Sequence, residues 1–299
     1  MGAKYRQVQK RIDSIRSTTK ITRAMELVAA SRIVKATTRL SQARPYALRI
    51  EQAIRDLAGV TEVTHEFPLL KPRDPIRTTG ILVITSDRGL AGAYNANVMK
   101  LAVAHVRKAK QAGRDTRIHV VGKKGQAFFR FSNYEIASST LGISDTPQFA
   151  DAEKLGTMLV EEFVAETLDE VIVAYTDFRS AGSQVAATTR ILPIAREEVA
   201  HAEAHITPLY EFEPEPGELL GLLLPRYINT VVFAALLESA ASEHAARRRA
   251  MKAATENGEE LVKVLTRVAN RERQAEITGE IMEVIGGAEA LREEAKATA

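Results

Sequence analysis

The chain has 299 residues, 45% of them hydrophobic, with 41 Lys and Arg against 38 Asp and Glu and no cysteine. That length supports one good core plus an elongated element, and the composition excludes disulfides and thiol chemistry. No apolar run approaches the ~20 residues that cross a bilayer, and the N-terminus has neither a signal-peptide apolar core nor a cleavage pattern. The chain is therefore expected in the cytoplasm, docked at most on something membrane-bound.

The near-neutral balance hides an uneven distribution. Residues 1–40 carry ten Lys or Arg against only Asp13 and Glu26. Residues 197–218 hold seven Glu and no Lys or Arg. A one-signed stretch of this kind points to an acidic surface nearby, or to nucleic acid.

From Val8 the chain repeats Ile12, Ile15, Thr19, Thr22, Glu26, Ala29, Ile33, Ala36, Leu40, Ala43, Ala47, Ile50, Ile54 and Leu57 in unbroken steps of four and three. That spacing predicts a long helix that winds left-handed around a partner helix. Many seam residues are Ala or Thr, which permit close approach but bury little area. Glu26 interrupts the stripe, and Pro45 is expected to kink or loosen a turn.

Past Leu57 the periodicity stops, and Phe67-Pro68 through Pro72 and Pro75 read as a loop. Gly80 to Thr85 reads as a buried strand, followed by a Gly-containing turn and a helix to about Ala112. Arg117 to Val121 is a second strand, Lys123 to Arg130 a short helix and Asp151 to Thr167 a longer one. Glu170 to Thr176 and Gln184 to Leu192 are further strands, and they could form a hairpin with an antiparallel edge. Strands alternating with helices predict a Rossmann-like, mostly parallel sheet covered on both faces.

Glu211 to Gly217 reads as a connector. From Leu219 an apolar helix resumes, with Pro225 in its first turns and a basic knot at Arg247-Arg248-Arg249. Leu261, Leu265, Val268, Ala275, Ile277, Ile281 and Ile285 are expected to supply its apolar side. Gly258 inside this helix costs about 1 kcal/mol in propensity, and Gly286-Gly287 reads as a late break. The predicted class is α/β: a long antiparallel coiled coil of N- and C-terminal helices with a central sheet domain. The segments are 1–57 (first coiled-coil helix), 58–77 (connector), 78–196 (α/β domain), 197–218 (acidic connector) and 219–299 (second coiled-coil helix).

Signals for chemistry are weak. The turn after the first strand lacks GxGxxG and GxxxxGK[ST], so Gly89 and Gly92 are read as turn residues, although a helix N-terminus there could hold a phosphate. His201 and His205 lie four apart, but two ligands without a matched third make a weak metal site, and the six histidines are expected at the surface. No cofactor, metal or catalytic group is expected. A basic coiled-coil nucleic-acid-binding or scaffold protein, or an α/β nucleotide-dependent enzyme, remains open on these residues alone, although no base-reading module is visible.

Four ordered motifs supply a family resemblance. Ile15 to Ser31 (IRSTTKITRAMELVAAS), Thr85 to Asn95 (TSDRGLAGAYN), Ser242 to Arg247 (SEHAAR) and Asn270 to Thr278 (NRERQAEIT), closed by Gly286-Gly287-Ala288, resemble the signatures of the gamma subunits of F-type ATP synthases. The resemblance covers essentially the whole chain. The basic run and Asn270 to Arg273 are similar to actinobacterial members, and the absence of Cys argues against the thiol-regulated chloroplast form. It implies a non-catalytic central rotor shaft on the cytoplasmic face of the cell membrane. It also implies partners: an alpha3beta3 hexamer, the epsilon subunit and the c-subunit ring, with no nucleic acid. By the same resemblance Lys20, Arg23, Met25, Arg247, Gln274 and Thr278 meet the beta subunit, the first group facing an acidic loop of beta. A polar strip of Arg271, Gln274 and Thr278 is expected opposite a packed side containing Ala275 and Ile277.

Overall fold

The computed structural model describes residues 3–60, 67–194 and 213–297. Two helices dominate. α1 spans Ala3–Val60 and continues helical through Pro45. The C-terminal helix, here α5, spans Pro216–Ala297 and continues through Pro225. It also passes without interruption through Gly286 and Gly287, so the expected late break is absent. His201, His205 and most of the acidic connector lie outside the described residues.

The chain forms two compact units, residues 1–28 with 250–299 and residues 29–249. The first is a helix pair. Every repeat position from Val8 to Glu26 is buried or half-buried, while the intervening Lys20, Arg23 and Ala24 are exposed. On α5 the matching stripe is Met251, Thr255, Gly258, Val262, Leu265, Ala269 and Glu272, again in steps of four and three. The Thr22 and Thr255 hydroxyls meet at 2.7 Å, and Arg23 Nη2 reaches Glu259 Oε1 at 2.7 Å. A Cβ built on Gly258 would come within 2.4 Å of Thr19 Oγ1. Descending numbers on one helix meet ascending numbers on the other, so the pair is antiparallel.

This register corrects one expectation. Ala275, Ile277, Ile281 and Ile285 are exposed rather than packed. Counting back from the Thr22–Thr255 pair places Ala3 opposite about Gln274, and past that point the described part of α1 offers no residue to cover them. The apolar type of these residues was legible; the lack of a partner was not.

The second unit carries the sheet. Its strands are β1 (Thr78–Ile84), β2 (Asp115–Val121), β3 (Ile136–Thr140), β4 (Glu170–Phe178) and β5 (Gln184–Leu192). They lie in the order β3-β2-β1-β4-β5. β1 is parallel to β2 and β4, β2 is parallel to β3, and β5 returns antiparallel to β4 as the edge. β3 is the element the sequence reading missed. Between the strands run α2 (Tyr94–Gln111), α3 (Lys123–Phe131) and α4 (Phe149–Val164).

The period-2 alternation of β1 divides its side chains between two cores. Ile81 and Val83 pack with Val98, Ala102, Val106 and Phe129 of α2 and α3. Leu82 and Ile84 pack with Leu155, Leu159 and Phe163 of α4, Leu220, Leu224, Ile228 and Val232 of α5, and Ile50, Ile54 and Leu57 of α1. Each such side chain contributes about 1.5–3 kcal/mol when fully buried. α5 also corrects the expectation that no apolar run is long enough to cross a membrane. It contains an 18-residue window apolar enough to do so. Leu220, Leu224, Ile228 and Leu236 of that stretch instead pack into the core on one face of the sheet, while Leu222 is 66% exposed.

Candidate functional site

The helix-pair unit exposes a cationic stripe and a set of apolar residues. Lys20 is exposed, Met25 is half-buried beside the seam, and Arg23 pairs with Glu259 with its side chain 63% exposed. An ion pair this open contributes at most about 1 kcal/mol to folding. On α5, Gln274 and Thr278 are exposed one turn apart, and the Thr278 hydroxyl donates to the Gln274 carbonyl at 2.9 Å. Arg271 is exposed one turn before them, so the polar strip exists as read from the sequence. Its expected packed counterpart does not, for the reason given above.

Apolar side chains share this exposed surface: Leu261, Ile277, Ile281 and Ile285 were expected on a packed side, and Ile21, Leu27, Val264, Met282 and Val284 had no assigned role. Ile21, Leu27 and Val28 on α1 are exposed, Leu27 to 68%. On α5 so are Leu261, Val264, Ile277, Ile281, Met282, Val284 and Ile285, Val284 to 72%. Exposed apolar residues in this number mark a surface that another molecule covers. The signal available in sequence was a second set of apolar positions outside the four-three stripe.

Arg247 belongs to the other unit, and there its guanidinium turns inward. It donates to Glu243 Oε1 at 2.5 Å and to the Gly89 carbonyl at 3.3 Å. The neighbouring Arg248 and Arg249 are exposed, and Arg249 donates to the Ala181 carbonyl at 3.2 Å. Burial pushes the Glu243 carboxyl up to about 7; Arg247 opposes this, while Asp145 and Asp87 add to it. His244 is also buried, and burial lowers its pKa against the pull of Asp145, whose carbonyl lies 3.3 Å from Nε2. Arg32 of α1 donates to Asp145 at 2.6 Å and Arg39 to the Pro147 carbonyl at 2.5 Å. Charged hydrogen bonds thus tie α1, α5 and two loops of the sheet together. With His119 also buried, its Nδ1 at 2.8 Å from the Ser138 hydroxyl, the expectation of surface histidines is corrected for His119 and His244.

The Gly-rich turn after β1 is a self-contained scaffold. Asp87 is opposed by burial, but donors outweigh it and lower its pKa: the Gly142 N–H at 2.9 Å, the Ser144 hydroxyl at 3.0 Å and the Lys123 N–H at 3.1 Å. Asn95 closes the turn from the other side, accepting the Ser86 N–H at 2.9 Å. At the α2 N-terminus, where the sequence left room for a phosphate, the Tyr94 N–H is already bonded to the Ala91 carbonyl at 3.2 Å. The left-handed residues of the turn are Leu90 (φ 63°) and Gly92 (φ 56°), not Gly89. Gly89 instead presents its carbonyl to Arg247. Among the described residues no cluster of His, Asp and Glu could hold a metal ion.

An antiparallel helix pair with a covered-sheet unit, and an outward surface built for contact rather than for chemistry, defines a mechanical or scaffolding subunit. A sequence model of the ATP synthase family matches residues 4–291. The ATP synthase gamma chain of Mycolicibacterium smegmatis is 45% identical over 305 residues, covering 97% of this chain and 99% of its own. That of Thermobifida fusca is 46% identical over 299 residues, with 97% of each covered. A chain in the Tetrahymena thermophila mitochondrial ATP synthase central stalk and c ring is 25% identical, with a TM-score of 0.57, covering 78% of this chain and 99% of that one. A chain in the Euglena gracilis mitochondrial ATP synthase has the same fold, with a TM-score of 0.67 at 18% identity, covering 97% and 95%. The chain belongs to the ATP synthase gamma chain family. That membership argues against the nucleic-acid-binding and nucleotide-dependent-enzyme readings.

Proposed function

We propose that this chain is the central rotor shaft of an F-type ATP synthase. It couples proton-driven rotation of the c ring to conformational cycling of the catalytic beta subunits, and itself carries no catalytic group. The observation that carries the reading is the near-full-length identity with gamma chains, 45% in one relative. The outward surface of the helix-pair unit supports it. Lys20 and Arg23 offer positive charge to an acidic loop of beta, and Met25, Gln274 and Thr278 offer weaker contacts beside it. Arg247 is assigned to beta contact by the family resemblance, and its guanidinium would have to leave Glu243 and the Gly89 carbonyl to make it. The exposed apolar residues suit the inside of the alpha3beta3 hexamer, because dispersion contacts have no preferred direction and slide.

The remaining partners are the epsilon subunit and the c ring. The chain associates peripherally with the membrane through the complex, and we place it on the cytoplasmic face. The test is direct. The assembled complex is immobilised by its beta subunits, and a bead is fixed to an engineered cysteine at Ala181 on the sheet unit. Steady ATP-driven rotation of the bead is expected. A bead that stays fixed while ATP is hydrolysed would refute the assignment.

A further inference from the structure

A cavity of about 270 Å³ opens between α1, α4 and α5 in the sheet-bearing unit. Its walls include Tyr46, Phe149, Phe233 and Ala234, with Arg44 and Glu238 at its polar end. Phe149 and Phe233 stand edge to face, ring centroids 5.6 Å apart. Glu238 is the unusual wall residue. Its Oε2 is buried and has no hydrogen-bond partner. Burial pushes the Glu238 carboxyl up to about 7; Asp177 of β4 adds to this, while the Phe178 N–H and Arg44 of α1 oppose it. Asp177 is itself engaged by Arg179 at 3.0 Å. α4 contributes an aromatic ring and no charge to the lining.

We propose that this cavity binds a small aromatic cation, a ring bearing a protonated amine or amidine. Phe149 and Phe233, already packed edge to face on each other, would offer one shared aromatic wall to the flat body, and aromatic faces attract cations. The N–H donors would satisfy the orphan Glu238 oxygen in a charge-assisted hydrogen bond, the strong kind in a poorly hydrated site. Glu238 is the carboxyl group in the lining, and Asp177 is close enough to act on its charge, so the polar end disfavours an anionic ligand. Arg44 is exposed on α1, so a ligand cation can displace it toward solvent. The site is independent of the rotor reading.

Benzamidine is the probe, with benzoate and toluene as comparators, titrated into the full-length chain and followed by calorimetry and ligand-detected NMR. Benzamidine is expected to bind, benzoate not to, and toluene to bind more weakly. Glu238→Gln should weaken benzamidine about tenfold, which is the loss of one charge-assisted contact. Ala234→Leu fills the cavity and should abolish binding of all three, with circular dichroism confirming that the chain stays folded. If Ala234→Leu does not fold, the Glu238→Gln result decides alone. No benzamidine binding to the wild-type chain, equal binding of benzoate, or undiminished affinity in Glu238→Gln overturns the proposal.

Discussion

Gly258 of α5 faces Thr19 of α1 in the helix-pair unit, and that contact makes the outcome of one substitution calculable. Ala in place of Gly inside a helix ordinarily gains about 1 kcal/mol. At Gly258 the new Cβ would lie 2.4 Å from Thr19 Oγ1, well inside ordinary van der Waals contact. Two escapes exist. The helices part by roughly 1 Å, an overpacking strain of about 1–3 kcal/mol. Otherwise Thr19 rotates, giving up its 2.9 Å hydrogen bond to the Ile15 carbonyl. That bond is worth about 0.5–1.5 kcal/mol net. The cheaper escape sets the outcome: losing about 0.5–1.5 kcal/mol against a gain of about 1 kcal/mol leaves Gly258→Ala near neutral, without the stabilisation the substitution ordinarily brings. Gly279 on the same helix has nothing within 4 Å of its Cβ position, so Gly279→Ala should stabilise. Combining Thr19→Ala with Gly258→Ala should recover the gain, a coupling of about 1 kcal/mol or more in a double-mutant cycle. Amide hydrogen exchange in the full chain reads the effect, across Ile12–Thr22 and Met251–Leu265 for Gly258→Ala and across Glu272–Ile285 for Gly279→Ala. Equal added protection from Gly258→Ala and Gly279→Ala would refute the close-approach argument.

Three further outcomes follow from the same geometry. Lys20→Ala with Arg23→Ala should lower protons pumped per ATP in membrane vesicles while the melting temperature stays nearly unchanged, because the Arg23–Glu259 pair contributes about 1 kcal/mol at most; wild-type pumping would return the stripe to a solvated face. Gln274→Ala and Thr278→Ala should each slow ATP hydrolysis by the assembled complex with the sheet unit still folded, and unchanged turnover in both would remove these residues from the contact. Glu243 has a folded pKa of about 7 against an ordinary 4.5, so its contribution to stability is fullest below 4.5 and is lost as pH rises to about 7. At that shift the loss amounts to about 3 kcal/mol. Urea unfolding at pH 5 and pH 8 should show it in the wild type and not in Glu243→Gln, a comparison that cancels the opposite trend of His244.

The α1 seam was legible because every step from Val8 to Leu57 keeps the four-three spacing, and burial follows that spacing even at Thr19, Thr22 and Glu26. The α5 seam was not, because Thr255, Gly258 and Glu272 occupy it while isoleucines stand exposed. Hydrophobicity cannot find a stripe whose members are chosen for closeness, and register is a property of two helices at once. β1, β2, β4 and β5 announced themselves as β-branched runs. β3 did not: Ile136-Ala137-Ser138-Ser139-Thr140 is a half-exposed strand paired to β2 alone, and its sequence reads as a loop. Among the candidate site residues, exposure of Lys20, Arg23, Gln274 and Thr278 followed from helical phase. The inward turn of Arg247 did not, since a run of three arginines gives no sign of which one meets a buried carboxylate.

The antiparallel pairing of Thr22 with Thr255 constrains how the chain can change in length. One residue added to a helix turns everything beyond it by about 100°. Added to α1 alone between Val8 and Thr22, it would carry the remaining seam positions to the solvent side while α5 kept its face. A tolerated change must restore the phase, and it must be matched on the opposite helix or Gly258 no longer meets Thr19. Loops accept insertions one at a time; this pair accepts them only in whole repeats and on both helices. Length here is inherited as a coordinated unit, and a single-residue deletion in either helix is a frame error in space although the reading frame is intact.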